Sequence, residues 1–300
     1  MNAAIETHGL RKVYGRTVAL DSLDIRVEPG EVFGFLGPNG AGKTTAVKLL
    51  LGLTRPTSGS GGVLGNPLGH RQTRGRIGYL PELFRYQAWL TAHEVLALHA
   101  DLAGLPHATH GPEIARVLAL AGLSERAQDR TGGFSKGMQQ RLGLAAALLG
   151  DPALVILDEP TSALDPVGRE DVRGIIREAR ERGSAVLLNS HLLGEVERLC
   201  DRVAIVNRGR VVASGSLGDL LGEPIVRLQV TDLPADRSSL AAFGPISVEE
   251  GWLVIRPLDP ARIPDVVAAV VALGGRVHAV DPARRSLEDL FLDLVREVPA

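Results

Sequence analysis

With 300 residues, of which 45% are hydrophobic and 23% charged, the chain has enough apolar content for one large α/β domain plus a small one, which excludes an intrinsically disordered protein. A formal net charge of −2, with no block of Lys or Arg, excludes a chain whose main partner is nucleic acid. The single cysteine, Cys200, excludes an internal disulfide framework and reads as a small buried hydrophobe, and no metal-ligand cluster of Cys and His is visible.

Residues 5–36 hold three strand-like runs, 5–13, 18–27 and 31–36, parted by turns at 14–16 and 28–30. The third run leads into Gly37, Pro38, Asn39, Gly40, Ala41, Gly42, Lys43, Thr44 and Thr45, which fits G-x-x-x-x-G-K-[ST]. Residues 32–36 read as a buried strand, and 45–51, with Val47, Leu50 and Leu51 on one side, as the start of a helix. Glycines between strand and helix let backbone N–H groups converge on an anion where the helix dipole adds partial positive charge. Lys43 is expected to reach the β and γ phosphates of a nucleotide, and the Thr44 hydroxyl to hold Mg²⁺. Arg71, Arg74 and Arg76 read as a solvated surface.

After a short strand at Ile77–Leu80, the pattern turns helical from 82 to about 150, with Val95, Leu96, Leu98 and Leu102, then Ile114, Val117, Leu118 and Leu120. The last helix of this insertion has Met138, Leu142, Ala145, Ala146 and Leu149 on its apolar face and ends at Gly150. Ser135 and Gly137 at its start form either an ordinary Ser cap or a second anion site. Residues 154–160 are an apolar run closing on Asp158 and Glu159, which suits a central parallel strand opening into a crevice. Strand alternation would point the two acids to opposite sides, Asp158 to hold Mg²⁺ and Glu159 to polarise an attacking water; the alternative is a strand that simply ends in solvent. Helices at 168–182 and 192–200 alternate with a strand at 185–189, the signature of βαβ units, and 203–206 with 210–213 read as a closing hairpin. A boundary is expected near 222–224. Beyond it, strands at 225–230, 252–256 and 276–280 and helices at 263–273 and 287–295 describe a small α+β module. The helix face of Val266, Val267, Val270 and Val271 packs either on its own sheet or on a partner. No repeat of fixed period appears.

Taken in order, the phosphate loop, the run 134–139, the Asp158–Glu159 strand, the segment 162–165 and the run 189–191 make residues 1 to about 222 resemble the ATPase of ATP-binding cassette (ABC) transporters. That resemblance implies an α/β fold: a P-loop NTPase core with an N-terminal antiparallel β subdomain and a helical insertion (about 83–150), plus a small α+β accessory domain (223–300). It implies ATP and Mg²⁺ as cofactors, with Thr44 and Asp158 on the metal. Glu159 and His191 become the catalytic pair, His191 matching the switch histidine at the γ-phosphate. Residues 37–45, Glu82, Ser135, Gly137 and Asp165 become nucleotide-site residues, joined by Tyr14 as the adenine-stacking aromatic unless it is only a turn tyrosine. Two such domains pair head to tail in the family, so that Ser135 and Gly137 of one contact the ATP held by Lys43 of the other and Asp165 bridges the two sites.

Two departures point within the family. The run 134–138 reads Phe-Ser-Lys-Gly-Met where Leu-Ser-Gly-Gly-Gln is usual, and Glu82 stands where Gln is usual. Both resemble the exporter branch that includes drug, antibiotic and copper-maturation transporters, as does the run 286–292. The expected partners are an integral membrane permease, contacted through Phe84, Tyr86, Trp89 and Leu90 unless these pack the insertion's own core, and a second ATPase subunit, a copy (homodimer) or a related chain (heterodimer). No nucleic acid partner is expected. No apolar run reaches the 18 or so residues of a membrane span and no leader is visible, so the expected place is the cytoplasmic face of the cell membrane, held there by the permease. A soluble ABC protein acting on ribosomes or DNA would usually show two fused halves or long coiled-coil insertions. A kinase or GTPase would explain 37–45 but not 134–139 and His191, and a module that holds ATP without turnover would not need Glu159.

Overall fold

In the computed structural model, residues 2–296 are described except 163, 223, 224, 235, 250, 284 and 285, and they fall into two compact units, Met1–Gly215 and Ser216–Ala300. The first opens with β1 (Ile5–Tyr14) and β2 (Thr17–Leu23), antiparallel across a turn at Gly15. The expected second strand stops early, and only β3 (Arg26–Val27) pairs again, on Ile5 and Glu6. A buried side chain explains the break: Thr7 Oγ1 donates to the Leu23 carbonyl at 2.8 Å and accepts from the Ile25 N–H at 3.0 Å, taking two ladder groups out of the sheet.

The fully buried β4 (Val32–Leu36) runs into the phosphate loop and α1 (Lys43–Leu50). Next come β5 (Ser58–Val63) and β6 (Asn66–Pro67), absent from the sequence reading because Ser-Gly-Ser-Gly-Gly carries no apolar alternation. Their composition answers to crowding. A Cβ at Gly59, φ +80°, would overlap the Gly9 carbonyl of β1, so β5 approaches β1 there only without a side chain.

The chain continues through β7 (Ile77–Leu80) into a helical layer of α2 (Ala92–Ala103), α3 (His107–Leu120) and α4 (Lys136–Ala147). Thr91 and Glu94 close a reciprocal capping box at the start of α2, at 3.1 and 2.8 Å. Then β8 (Leu154–Asp158), α5 (Pro166–Glu181), β9 (Ala185–Asn189), α6 (Leu193–Leu199), β10 (Arg202–Asn207) and β11 (Arg210–Ser216) complete the unit. The strand order is β6-β5-β1-β2-β11-β10-β4-β9-β8-β7, with β3 on β1. From β10 to β7 every neighbouring pair is parallel, so the C-terminal ends of β4, β9, β8 and β7 lie on one edge. Phe33, Phe35, Val47, Leu49, Ile156 and Leu187 form the core that joins α1 to this sheet.

The second unit comprises α7 (Leu217–Leu221), β12 (Ile225–Thr231), β13 (Ile246–Glu249), β14 (Trp252–Ile255), α8 (Ile263–Ala272), β15 (Arg276–Ala283) and α9 (Leu287–Arg296). Its sheet, β13-β14-β12-β15, is antiparallel throughout. Val266 and Val270 of α8 are buried on Val226, Leu228 and Ile255 and Val267 packs against the same cluster, so three of the four valines serve the module's own sheet while Val271 is exposed. The division between units falls ahead of the expected break because α7 packs with α9; Glu223 and Pro224 of that break lie outside the described residues.

Gly78 in β7 marks where the helical layer meets the sheet, since a Cβ there would overlap the Ala147 carbonyl at the end of α4. We expect Gly78→Ala to lower the unfolding free energy by about 1–3 kcal/mol through overpacking. Chemical denaturation checks this, and an unchanged midpoint would show that α4 is not seated on β7 as described.

Candidate nucleotide site

The phosphate loop is held by its neighbours as much as by its own turns. Gly40 and Gly42 take φ of +81° and +103°, which favours glycine at both, and a Cβ at Gly42 or Gly37 would overlap the carbonyl of Ala19 or Val206. Ala41 is buried, donates to the Pro38 carbonyl at 3.1 Å and accepts from the Gly209 N–H at 2.9 Å, so the β10–β11 turn clamps the loop. No side chain caps α1, which leaves its first N–H groups for an anion. Lys43 Nζ folds back onto the carbonyls of Gly37 at 2.5 Å and Pro38 at 3.2 Å, and burial lowers its pKa despite the pull of Glu159, Asp158 and Glu82. Asn39, Gly40 and Thr44 are exposed; Pro38 and Thr45 are half-buried.

Two strands away, β8 ends on Asp158, only 4% exposed. Simple strand alternation does not part it from Glu159, because Glu159 has left the strand: its φ is +54°, and its N–H is fixed by the Asn189 carbonyl at 2.8 Å. A left-handed turn at a non-glycine residue is strained backbone, held here by the neighbouring strand. Glu159 Oε2 lies 2.7 Å from His191 Nδ1, while the His191 side chain remains 61% exposed. Asn189 Nδ2 donates to Asp158 Oδ1, and Asn189 Oδ1 is buried without a hydrogen-bond partner among the described residues. The sequence reading had Asn189 in its run but gave it no task; a polar residue ending an otherwise apolar strand was the signal available.

Burial raises the Asp158 pKa, and Glu82 and Glu159 add to the rise, against the hydrogen bond from Asn189 and the charge of Lys43. Three carboxylates therefore face one partly desolvated ammonium, and negative charge is in excess. Hard carboxylate oxygens suit Mg²⁺, with Asp158 and the Thr44 hydroxyl as the donors the loop and strand offer.

Other expected residues make local contacts of their own. Ser135 caps α4 by accepting from the Met138 N–H at 3.2 Å, and Asp165 caps α5 by accepting from Gly168 at 2.8 Å. Gly137 faces Leu164, with 3.3 Å from an added Cβ to its Cδ2. Among the described residues no hydrogen bond ties Ser135, Gly137 or Asp165 to residues 37–45; Ala163 lies outside them. Tyr14 is half-exposed at the β1–β2 turn, with Lys12 Nζ 4.8 Å from its ring centroid. Of the four residues expected to meet the permease, Phe84 and Tyr86 pack edge to face at 5.4 Å and burial raises the Tyr86 pKa, Leu90 is half-buried, and Trp89 is 69% exposed; Leu83, outside that set, is 87% exposed. A pair unseen in the sequence ties α5 to α6: buried Arg173 Nη1 donates to both carboxylate oxygens of buried Glu195, at 2.9 and 2.8 Å, one turn beyond His191.

Because the folded state holds the Asp158 pKa above its ordinary value, the stability tied to this group is present at low pH and is lost as pH rises through the raised value. We expect Asp158→Asn, which keeps an oxygen for Asn189, to raise the thermal midpoint of the nucleotide-free, Mg²⁺-free chain at pH 7, by about 2–4 °C per kcal/mol relieved. The gain should shrink as pH is lowered below the raised value. A lower midpoint at pH 7 would contradict the charge excess.

Comparison with known proteins identifies the family. The ABC transporter family model matches residues 20–162. An uncharacterized ABC transporter ATP-binding protein of Nostoc sp. is 40% identical over 98% of this chain and 90% of its own length. The Nod factor export ATP-binding protein I of Cupriavidus metallidurans is 35% identical over 98% of each chain. A solved ATP-binding subunit of an ABC transporter is 33% identical, with a TM-score of 0.67, and aligns over 72% of this chain and 91% of that one. The chain thus belongs to the ATP-binding subunits of ABC transporters, with the α/β P-loop fold and the ATPase activity of that family.

Proposed function

We propose that this ATPase drives export from the cytoplasmic face of the cell membrane, bound to a separately encoded integral membrane permease and paired with a second ATPase subunit, either a copy of itself or a related chain. The observation that carries the catalytic reading is the 2.7 Å contact of His191 with Glu159 beside Asp158, on the sheet edge where the phosphate loop also lies. Export is supported by the relative named for Nod factor export, whose alignment runs through both units of this chain. Among the described residues no helix is long and apolar enough to cross a membrane, which fits a separate permease.

In this reading the loop 37–45 receives the triphosphate on its N–H groups, and Lys43 leaves the Gly37 and Pro38 carbonyls for the β and γ phosphates. Thr44 and Asp158 would hold Mg²⁺, which would offset phosphate charge and supply Lewis-acid polarisation. Glu159 takes a proton from the attacking water, its carboxylate held by His191. With Nδ1 occupied by Glu159, His191 turns Nε2 toward the γ-phosphate. Ser135, Gly137 and Asp165 act across the dimer, a reading supported by the absence, among the described residues, of any hydrogen bond from them to residues 37–45. Tyr14 stacks on adenine. The permease docks near Trp89 and Leu83, with Phe84 and Tyr86 as the packed floor. The accessory module, without phosphate-contacting motifs, supports pairing or tunes turnover.

Lys43→Ala should weaken ATP binding at least tenfold, since it removes a charge-assisted donor from the cradle. Glu159→Gln should instead bind ATP within a few-fold of wild type and lose about 10²–10⁴ in turnover. Calorimetry and steady-state ATPase assays separate the two, and near-wild-type turnover in Glu159→Gln would remove Glu159 as the base. Glu82 is exposed, and in this reading it couples rather than catalyses, so Glu82→Gln should keep its ATPase rate. A loss of about a hundredfold would make it a direct participant.

A further inference from the structure

At the corner between α2 and α3, Asp101 in the last turn of α2 meets His107 and His110 in the first turn of α3. Asp101 Oδ1 lies 3.5 Å from His107 Nδ1 and 4.0 Å from His110 Nε2, and one donor atom from each of the three residues falls within 4.8 Å of the others. The i, i+3 spacing puts both imidazoles on one face of α3, with ring centroids 4.8 Å apart. The connection is pinned by Gly104 at φ +77° and by Pro106, and His110 Nε2 is also 2.9 Å from the Leu105 carbonyl. No Cys/His spacing flags these residues in the sequence; the turn brings them together.

The electrostatics favour a cation here. Free carbonyls give the C-terminal end of a helix partial negative charge, commonly offset by Lys, Arg or His in its last turn. The last turn of α2 has no basic residue and carries Asp101 instead. Two imidazoles and one carboxylate are the donors that Zn²⁺ and its neighbours in the first transition row take, whereas Mg²⁺ prefers oxygen alone. Metal–ligand distances of about 2.0–2.2 Å place tetrahedral donors about 3.3 Å apart, so the three side chains need to draw together by about an ångström. Asp101 and His107 are exposed, and His110 Nε2, which donates to the Leu105 carbonyl, has to release that bond and its proton to offer a lone pair to the metal.

We propose that Asp101, His107 and His110 form a zinc-class metal site with a fourth position open, stapling the end of α2 to the start of α3. None of the three is used in the nucleotide site, so the proposal stands apart from the transport reading. The competing account is that His110 only pins the connecting turn through the Leu105 carbonyl while His107 makes a surface pair with Asp101.

The test is calorimetric titration of the full-length, tag-free chain with zinc chloride, without nucleotide or Mg²⁺. One zinc per chain, weakened at least tenfold in His107→Ala and retained in Asp158→Asn, is the expected result. Zinc should also raise the thermal midpoint of the wild type but not of His107→Ala, whose exposed side chain can be removed without threatening the fold and whose Mg²⁺-dependent ATPase should stay at the wild-type rate. Absence of saturable binding at one per chain, or undiminished binding in His107→Ala, would overturn the site. So would loss in Asp158→Asn alone, which would move the ion to the nucleotide edge.

Discussion

Everything at the candidate site follows from four adjacent parallel strands ending on one edge. Because β4, β9, β8 and β7 run the same way, the loop after each emerges beside the others, and Lys43, Asn189, Asp158, Glu159 and Glu82 come from four distant stretches of chain to share one electrostatic environment. The site so made is unbalanced. One ammonium, lowered in pKa by burial, stands among three carboxylates, one of them raised in pKa by burial. An arrangement of this kind costs stability in the nucleotide-free chain and is relieved when phosphate and a divalent cation arrive together.

Local backbone strain is stored beside these groups. Glu159 sits at φ +54° because the Asn189 carbonyl holds its N–H, while the Asn189 side chain holds Asp158. One residue of β9 thus fixes both acids, two positions before His191. Arg173 and Glu195 anchor the helix that follows His191. A buried pair of this type is costly to break from one side, which makes the short segment between β9 and α6 a firm mount.

The sheet core was legible in the sequence because its strands are continuous apolar runs: residues 32–36, 154–158 and 185–189 are buried at every position. The phosphate loop was legible because its glycines answer to backbone geometry that few other residues permit. What escaped reading has physical causes as well. Strand β5 is built from Ser and Gly so that it can lie close to β1, which erases the alternation that announces a strand. Thr7 breaks the second strand through a side-chain bond formed only once the sheet exists. Strand alternation does not govern Asp158 and Glu159, because β8 ends at Asp158 and Glu159 turns left-handed beyond it. Asp101, His107 and His110 converge through a helix–helix corner that no local spacing encodes.

The central claim is that the acid cluster is made to be balanced by a divalent cation bound together with the nucleotide. The most direct measurement is the affinity of the wild-type chain for ATP, by calorimetry, with Mg²⁺ and with Mg²⁺ removed by a chelator. A charge excess of this kind predicts binding at least tenfold tighter with Mg²⁺, because without it the triphosphate adds negative charge beside Asp158, Glu159 and Glu82. Equal affinity in the two conditions would contradict it.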